Sequence, residues 1–292
     1  MKYNMKKFKW LFVGLFFVFT AFKTDKPAYY LFNKDGKDVK YEKMLKEAED
    51  ADIVLFGESH DDPISHWMEF ELTKDLYDLK KDKLVLGAEI FESDNQVILD
   101  EYLDSLISVS SFESNARLWP NYKTDYKPLV EFAKTNKLIF VATNVPRRYA
   151  SLVNSKGFVG LDKLSSDAKA FLPPLPIKYD AELNCYKSMM EMEGMGDHVT
   201  ENFPKAQALK DATMAHFILK NWSKGKLLIH YHGSYHSENF ESIYWYLKQA
   251  NPDLKIVTIH TVSQEDVSEL TKENTGKADF TICVDEDMTK TR

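Results

Sequence analysis

The chain of 292 residues is poor in cysteine and has no surplus of positive charge. Its two cysteines, Cys185 and Cys283, make neither a disulfide framework nor a C-x-x-C metal knuckle, and their spacing leaves their pairing open. Lys and Arg number 38 against 45 Asp and Glu, a net charge of -7. That balance cannot neutralise a phosphate backbone, so nucleic acid is not an expected partner. The G-x-S-x-G elbow, H-E-x-x-H, the Walker loop and G-x-G-x-x-G are all missing, which removes the signatures of the common hydrolase, zincin and nucleotide-binding routes. What the chain does have is apolar residues, 44%, and aromatic ones, 13%. This composition excludes intrinsic disorder and fibrous classes and is that of a globular protein with a large core.

Only the N-terminus carries a long apolar run. Lys2, Lys6, Lys7 and Lys9 precede WLFVGLFFVFTAF, residues 10–22, which stops at Lys23-Thr24-Asp25-Lys26-Pro27. A membrane span needs about 20 residues, so this shorter run reads as the h-region of a signal peptide, with an uncleaved N-terminal anchor as the alternative. Residues 1–22 are therefore expected to direct export to the periplasm or cell envelope, with membrane association if they are retained. Residues 28–292 then form the working domain.

Within that domain one grammar repeats. Short runs rich in β-formers, DIVLF (52–56), KLVLGAEI (83–90), LIFVAT (138–143) and KLLIHY (226–231), are each followed by a polar loop and then a helical pattern. Asp62 is placed to cap a helix whose first residue is Pro63. Residues 255–261 and 278–284 read as two more strands. Strands alternating with helices predict an α/β fold with a mainly parallel sheet flanked by helices. Residues 165–222 break the pattern, with Pro173-Pro174-Leu175-Pro176 followed by helical stretches at 181–192 and 204–221, and are expected to be a helical insertion, either plain packed helices or a lid. Met189, Met190, Met192 and Met195 cluster beside Gly194 and Gly196, an adaptable apolar surface at an expected mobile point.

In an open parallel sheet, ligands bind beyond the carboxyl ends of the strands. Glu58 and His60 follow the first strand, Glu89 and Glu92 end the second, Asn144, Arg147 and Arg148 follow the third, and His232 and His236 follow the fourth. Two loops share the form Gly-x-x-His, Gly57 to His60 and Gly233 to His236, where glycine would allow a tight turn that lifts a histidine over the strand end. Two chemistries fit. His60, Glu89 and His236 have the composition of a divalent-metal site. Alternatively Glu58, His60, Glu89, Arg147 and His236 suit metal-free acid/base hydrolysis, with His60 as base oriented by Glu89, and Arg147 or His236 steadying a developing anion.

These residues carry a resemblance. Phe56 to Pro63, Gly87 to Phe91, Trp119 to Tyr122 with Tyr126 to Leu129, Asn144 to Arg147, Ala206 to Ala215 and Gly233 to His236 together resemble the ChaN-like haem-binding uptake proteins. That family belongs to a superfamily that also holds erythromycin-esterase-like enzymes and the TIKI metalloproteases. The resemblance implies an exported haem-binding protein concerned with haem or iron uptake at the cell envelope, pairing with a second copy around the haem. A tyrosine phenolate would be the family-like axial ligand, with Tyr122 and Tyr126 as candidates and Tyr102 behind them. Members are often lipoproteins, whereas Phe22 stands where a lipidated cysteine would be expected. An envelope hydrolase built on the paired Gly-x-x-His loops is the alternative function.

Overall fold

A computed structural model describes residues 26–190 and 200–292. The expected signal segment, and Met192, Gly194, Met195 and Gly196, lie outside the described residues. Among those described, no helix is long and apolar enough to cross a membrane.

Seven strands form one sheet in the order β1 (Tyr29–Asn33), β7 (Phe280–Asp285), β6 (Ile256–Gln264), β2 (Ile53–Glu58), β5 (Leu227–Gly233), β3 (Leu84–Glu92) and β4 (Ile139–Asn144). All neighbours are parallel except β1, which runs antiparallel to β7 at the edge. The α/β expectation holds, and the six strands read from the sequence are all present. β1 was not read from the sequence: it is an edge strand of only five residues and pairs antiparallel with β7, far away in the chain.

Both faces of the sheet are covered, as parallel strands require. Because side chains alternate along a strand, Val54, Phe56, Leu86 and Ile229 enter one apolar cluster, while Ile53, Leu55, Val85 and Leu228 enter the other. The first face is covered by α1 (Tyr41–Glu49), α2 (Pro63–Lys80), α3 (Gln96–Leu103), α4 (Val109–Asn115) and α5 (Lys127–Asn136). α2 begins where expected: Asp62 accepts hydrogen bonds from the backbone N–H groups of Ile64 (3.0 Å) and Ser65 (2.9 Å), and Pro63 is its first residue. Such a cap stabilises a helix by about 1 kcal/mol.

Between β4 and β5 the described residues contain helices and loops only: α6 (Arg147–Lys156), the single turns α7 (Ser166–Lys169) and α8 (Asn184–Lys187), and α9 (Phe203–Asn221). α9 is no lid. Its Met214, Ala215, Phe217 and Ile218 pack on Ile53, Val85 and Val141, so it covers the second face of the sheet together with α10 (Ile243–Ala250). Of the expected helix at 181–192, the described residues 181–190 form α8 and one further turn, with Met189 buried and Met190 half exposed. Cys185 and Cys283 are both buried free thiols.

Candidate functional site

Alternation along the strands decides which carboxylate goes where. Glu58 continues the parity of Val54 and Phe56 and so emerges on the α2 side, whereas Glu89 continues that of Val85 and emerges on the α9 side. His230 and His232 share the parity of Leu228 and lie with Glu89. The polar centre therefore has two halves, one on each face, meeting above the strand ends.

On the α2 side, Glu58 Oε1 accepts from His60 Nδ1 at 2.7 Å and from the Tyr126 hydroxyl. Burial opposes ionisation of Glu58, but the His60 hydrogen bond and the nearby His66 hold its carboxyl down to about 2. His66 Nδ1 donates to Glu69 Oε2 at 3.0 Å and stands 3.8 Å from Glu58 Oε2. Its Nε2 donates to the His60 carbonyl at 3.1 Å. Burial disfavours its charge, yet Glu69 and Glu58 raise it to about 10. Asn121 donates to the same carbonyl (2.7 Å) and to Asp125 (2.6 Å) from beside the single π-helical turn Tyr122–Tyr126. Such turns often mark functional positions in helices.

On the α9 side, His236 is held between two acids. Its Nδ1 donates to Asp211 Oδ1 at 2.5 Å, its Nε2 lies 3.3 Å from Glu89 Oε1, and Glu89 Oε2 accepts the Gly233 N–H at 3.0 Å. Asp211 also accepts from the Tyr186 hydroxyl at 2.8 Å. Burial works against the imidazolium, but Glu89 and Asp211 outweigh it and raise His236 to about 10. His236 in turn holds the buried Glu89 carboxyl well below the usual range.

A neutral histidine pair lies beneath. Ala88 and His230 offer carbonyl oxygens that can only accept, and this sets the direction of the whole chain of bonds. Thr143 donates to Ala88 (2.9 Å), His230 Nε2 donates to Thr143 (2.7 Å), and His232 Nδ1 points at both His230 Nδ1 (3.0 Å) and His230 O (3.1 Å). Nε2 of His232 is left as a bare buried acceptor. Burial lowers His232 to about 3 and keeps His230 well below its normal value.

The two Gly-x-x-His loops join the halves, for a reason other than turn geometry. Both glycines end strands in extended backbone rather than in the left-handed region. A Cβ on Gly57 would come within 2.9 Å of Ser234 Cα, and a Cβ on Gly233 within 2.7 Å of His60 Nε2. Each glycine makes room for the other loop, which also brings the His60 ring over the Glu89 half.

The structure thus brings Glu58, His60, Glu89 and His236 into one centre. Arg147 is an exposed first residue of α6 and does not enter it, while Arg148 pairs with Asp94 at 2.5 Å. The trio whose ligand atoms come within 4.8 Å of one another among the described residues is Glu58, His66 and Glu69, not His60, Glu89 and His236. The tyrosines are deeply placed. Tyr126 is 2% exposed and bonded to Glu58, and Tyr122, equally buried, lies among Phe91 and Phe112 with its hydroxyl unpartnered. Burial drives both phenols above their normal range. By contrast the His60 side chain is 33% exposed, rests edge-on against Trp119, and makes no hydrogen bond through Nε2 among the described residues. An imidazole held at Nδ1 by a carboxylate, with only the side-chain-less Gly233 against its Nε2, fits the chemistry of an axial haem ligand.

His66, Glu69 and Asp211 escaped the sequence reading. Their signal was a polar residue inside a buried helical stripe: His66, Glu69 and Thr73 share a face of α2, and Asp211 lies among Ala208, Ala212 and Ala215 on α9.

An open α/β sheet with a buried glutamate and histidine centre at its carboxyl ends defines the class of protein. Residues 44–247 match the family described as haem-binding uptake, Tiki superfamily, ChaN, and the chain belongs to that family. The structure entitled cofacial heme binding to ChaN of Campylobacter jejuni superposes with a TM-score of 0.63 at 19% identity, covering 87% of this chain and 96% of that one. At that identity the likeness is one of fold. A mutant of the erythromycin esterase EreC is a more distant neighbour, with a TM-score of 0.45 and 11% identity over 88% of this chain and 83% of its own. Among curated proteins, RETICULATA-RELATED 5, chloroplastic, of Arabidopsis thaliana is 29% identical over 147 residues, 48% of this chain but 19% of that protein.

Proposed function

We propose that the chain binds haem at the rim of this centre, with His60 as the group that meets the iron. The observation that carries the reading is the family match over residues 44–247, a span that contains every residue of the centre. Bound haem would supply an iron with axial positions to fill. His60 is the most accessible imidazole of the centre, and Glu58 fixes its tautomer. Burial opposes a charge on His60, but Glu58 raises its pKa, so a ligand at Nε2 must displace a proton and affinity should grow with pH.

Ferric haem titrated into the protein, followed at the Soret band, tests this. His60→Ala is expected to weaken binding by about 10–100-fold or more and to shift the band, while Tyr126→Phe leaves the spectrum unchanged. A spectrum altered by Tyr122→Phe or Tyr126→Phe but not by His60→Ala would give the iron to a phenolate. Binding no more saturable than that of an unrelated protein would remove the haem reading. Export through residues 1–22, a role in haem uptake at the envelope, and pairing of two copies around haem belong to the same proposal. Light scattering with and without haem checks the pairing, and fusion of residues 1–22 to a reporter checks export.

A second reading, acid/base hydrolysis in the envelope, is favoured by one observation: His236 clamped between Glu89 and Asp211. Glu89→Gln separates the two. It should leave haem affinity nearly intact, but would cut turnover on an ester or peptide panel by about 10²-fold or more if the centre is catalytic.

A further inference from the structure

Two carboxyl oxygens in the core have no donor group from another residue among those described. Glu58 Oε2 and Glu69 Oε1 are buried without a hydrogen-bond partner, on residues only 2% and 0% exposed. His66 Nδ1 stands beside both residues, 3.8 Å from Glu58 Oε2 and 3.0 Å from Glu69 Oε2, and one ligand atom from each of the three comes within 4.8 Å of the other two. Two carboxyl groups this close in a dry interior must either share a proton, which raises Glu69, or take up a cation in its place.

The surroundings fit a cation site rather than an accident of packing. His66 donates from Nε2 to the His60 carbonyl, a bond that fixes the ring and turns Nδ1 toward the two glutamates. Metal-binding histidines are oriented in this way by a second acceptor behind the ring. Asp125 Oδ2, 3.7 Å from the same Nε2, adds negative charge on that outer side. The three groups come from different local structures, Glu58 from the end of β2 and His66 with Glu69 from adjacent turns of α2, so the tertiary fold and not a local run of acids builds the cluster.

We propose that Glu58, His66 and Glu69 form a binding site for a divalent first-row cation, held by the two carboxylates and His66 Nδ1. One imidazole with two carboxylates suits Mn2+, Fe2+ or Zn2+; Ca2+ and Mg2+ prefer a larger, all-oxygen shell. The site adjoins the rim through Glu58, which uses Oε1 for His60 and would use Oε2 for the cation. The proposal does not rest on haem binding, and its probes are Mn2+ and Zn2+ alone.

Because the trio is buried, the full chain should be unfolded with chelator and refolded with Mn2+, with Zn2+, or with neither, and then gel-filtered. About one equivalent of metal should remain bound, and Tm should rise by roughly 5 °C or more in excess metal. Glu69→Gln should weaken binding by about 100-fold or more, and Glu69→Asp, the fallback if the first variant does not fold, by about tenfold. Substoichiometric metal with unchanged Tm after refolding with either ion overturns the site, and Glu58 and Glu69 then share a proton. Metal retained by Glu69→Gln but lost in Glu89→Gln also overturns it, placing the ion in the other half. A haem titration on the same samples reads the rim independently, so failure of one proposal is distinguishable from failure of the other.

Discussion

Replacing Asp211 by alanine is expected to cost about 3–5 kcal/mol of stability, because it leaves a buried imidazolium and a buried phenol without their acceptor. Asp211 is 1% exposed and takes both His236 Nδ1 and the Tyr186 hydroxyl. Through these bonds it ties α9 to α8 and to the loop after β5. The same variant should change the pH dependence. His236 and His66 are raised to about 10, so their stabilisation is complete below the unfolded value near 6.5 and is lost as pH climbs toward 10. His230 and His232, the latter near 3, stay neutral in the core, as does His260, lowered to about 4 by burial. The unfolded chain gains those protons below about pH 6.5, so acid also destabilises. Glu69, pushed up by burial and Glu58, opposes the acid limb by one proton, fewer than the histidines contribute. Stability should therefore peak near pH 6.5. Urea unfolding at pH 5, 6.5, 8 and 9.5 measures it, and Asp211→Ala should flatten the alkaline limb. Wild-type stability that rises from pH 6.5 to 9 would refute the charge assignment of His236 and His66.

Gly57→Ala should be similarly damaging through sterics alone. The added methyl would lie 2.9 Å from Ser234 Cα and 3.0 Å from the Ile259 carbonyl oxygen, both backbone atoms held by neighbouring elements. Neither can turn away as a side chain could, so the β2, β5 and β6 ends must separate. A loss of about 3 kcal/mol, or roughly 6–12 °C in Tm, is expected. Because Ser234 Oγ donates to the Glu58 carbonyl at 3.1 Å, the shift should also disturb the centre, and haem affinity should fall with Tm. A variant with wild-type Tm would show that the two Gly-x-x-His loops are not packed against each other.

Alternating strand and helix patterns, with polar residues after each strand, placed Glu58, His60, Glu89 and His236 at one end of the sheet, because sheet topology follows from local periodicity and crossover rules. The cap at Asp62 and the start of α2 were equally legible, being contacts between residues two or three apart. That α9 packs on the sheet was not legible, because its partners, Ile53 and Val85, lie far away in sequence. Tyr122 and Tyr126 offered no local sign of how deep they lie.

What the sequence determined by itself is therefore the α/β class, the strand ends that hold the polar groups, and the family resemblance, all of which depend on short-range pattern. Only the tertiary structure decided that Glu58 and Glu89 work on opposite faces, that His66, Glu69 and Asp211 complete the two halves, and that each loop's glycine makes room for the other. Those outcomes depend on which strands become neighbours and on how closely their ends approach, with partners as distant as Glu58 and Ser234, 176 residues apart. Burial then converts the contacts into fixed charges, because a carboxylate or imidazole in the core keeps the state its neighbours stabilise.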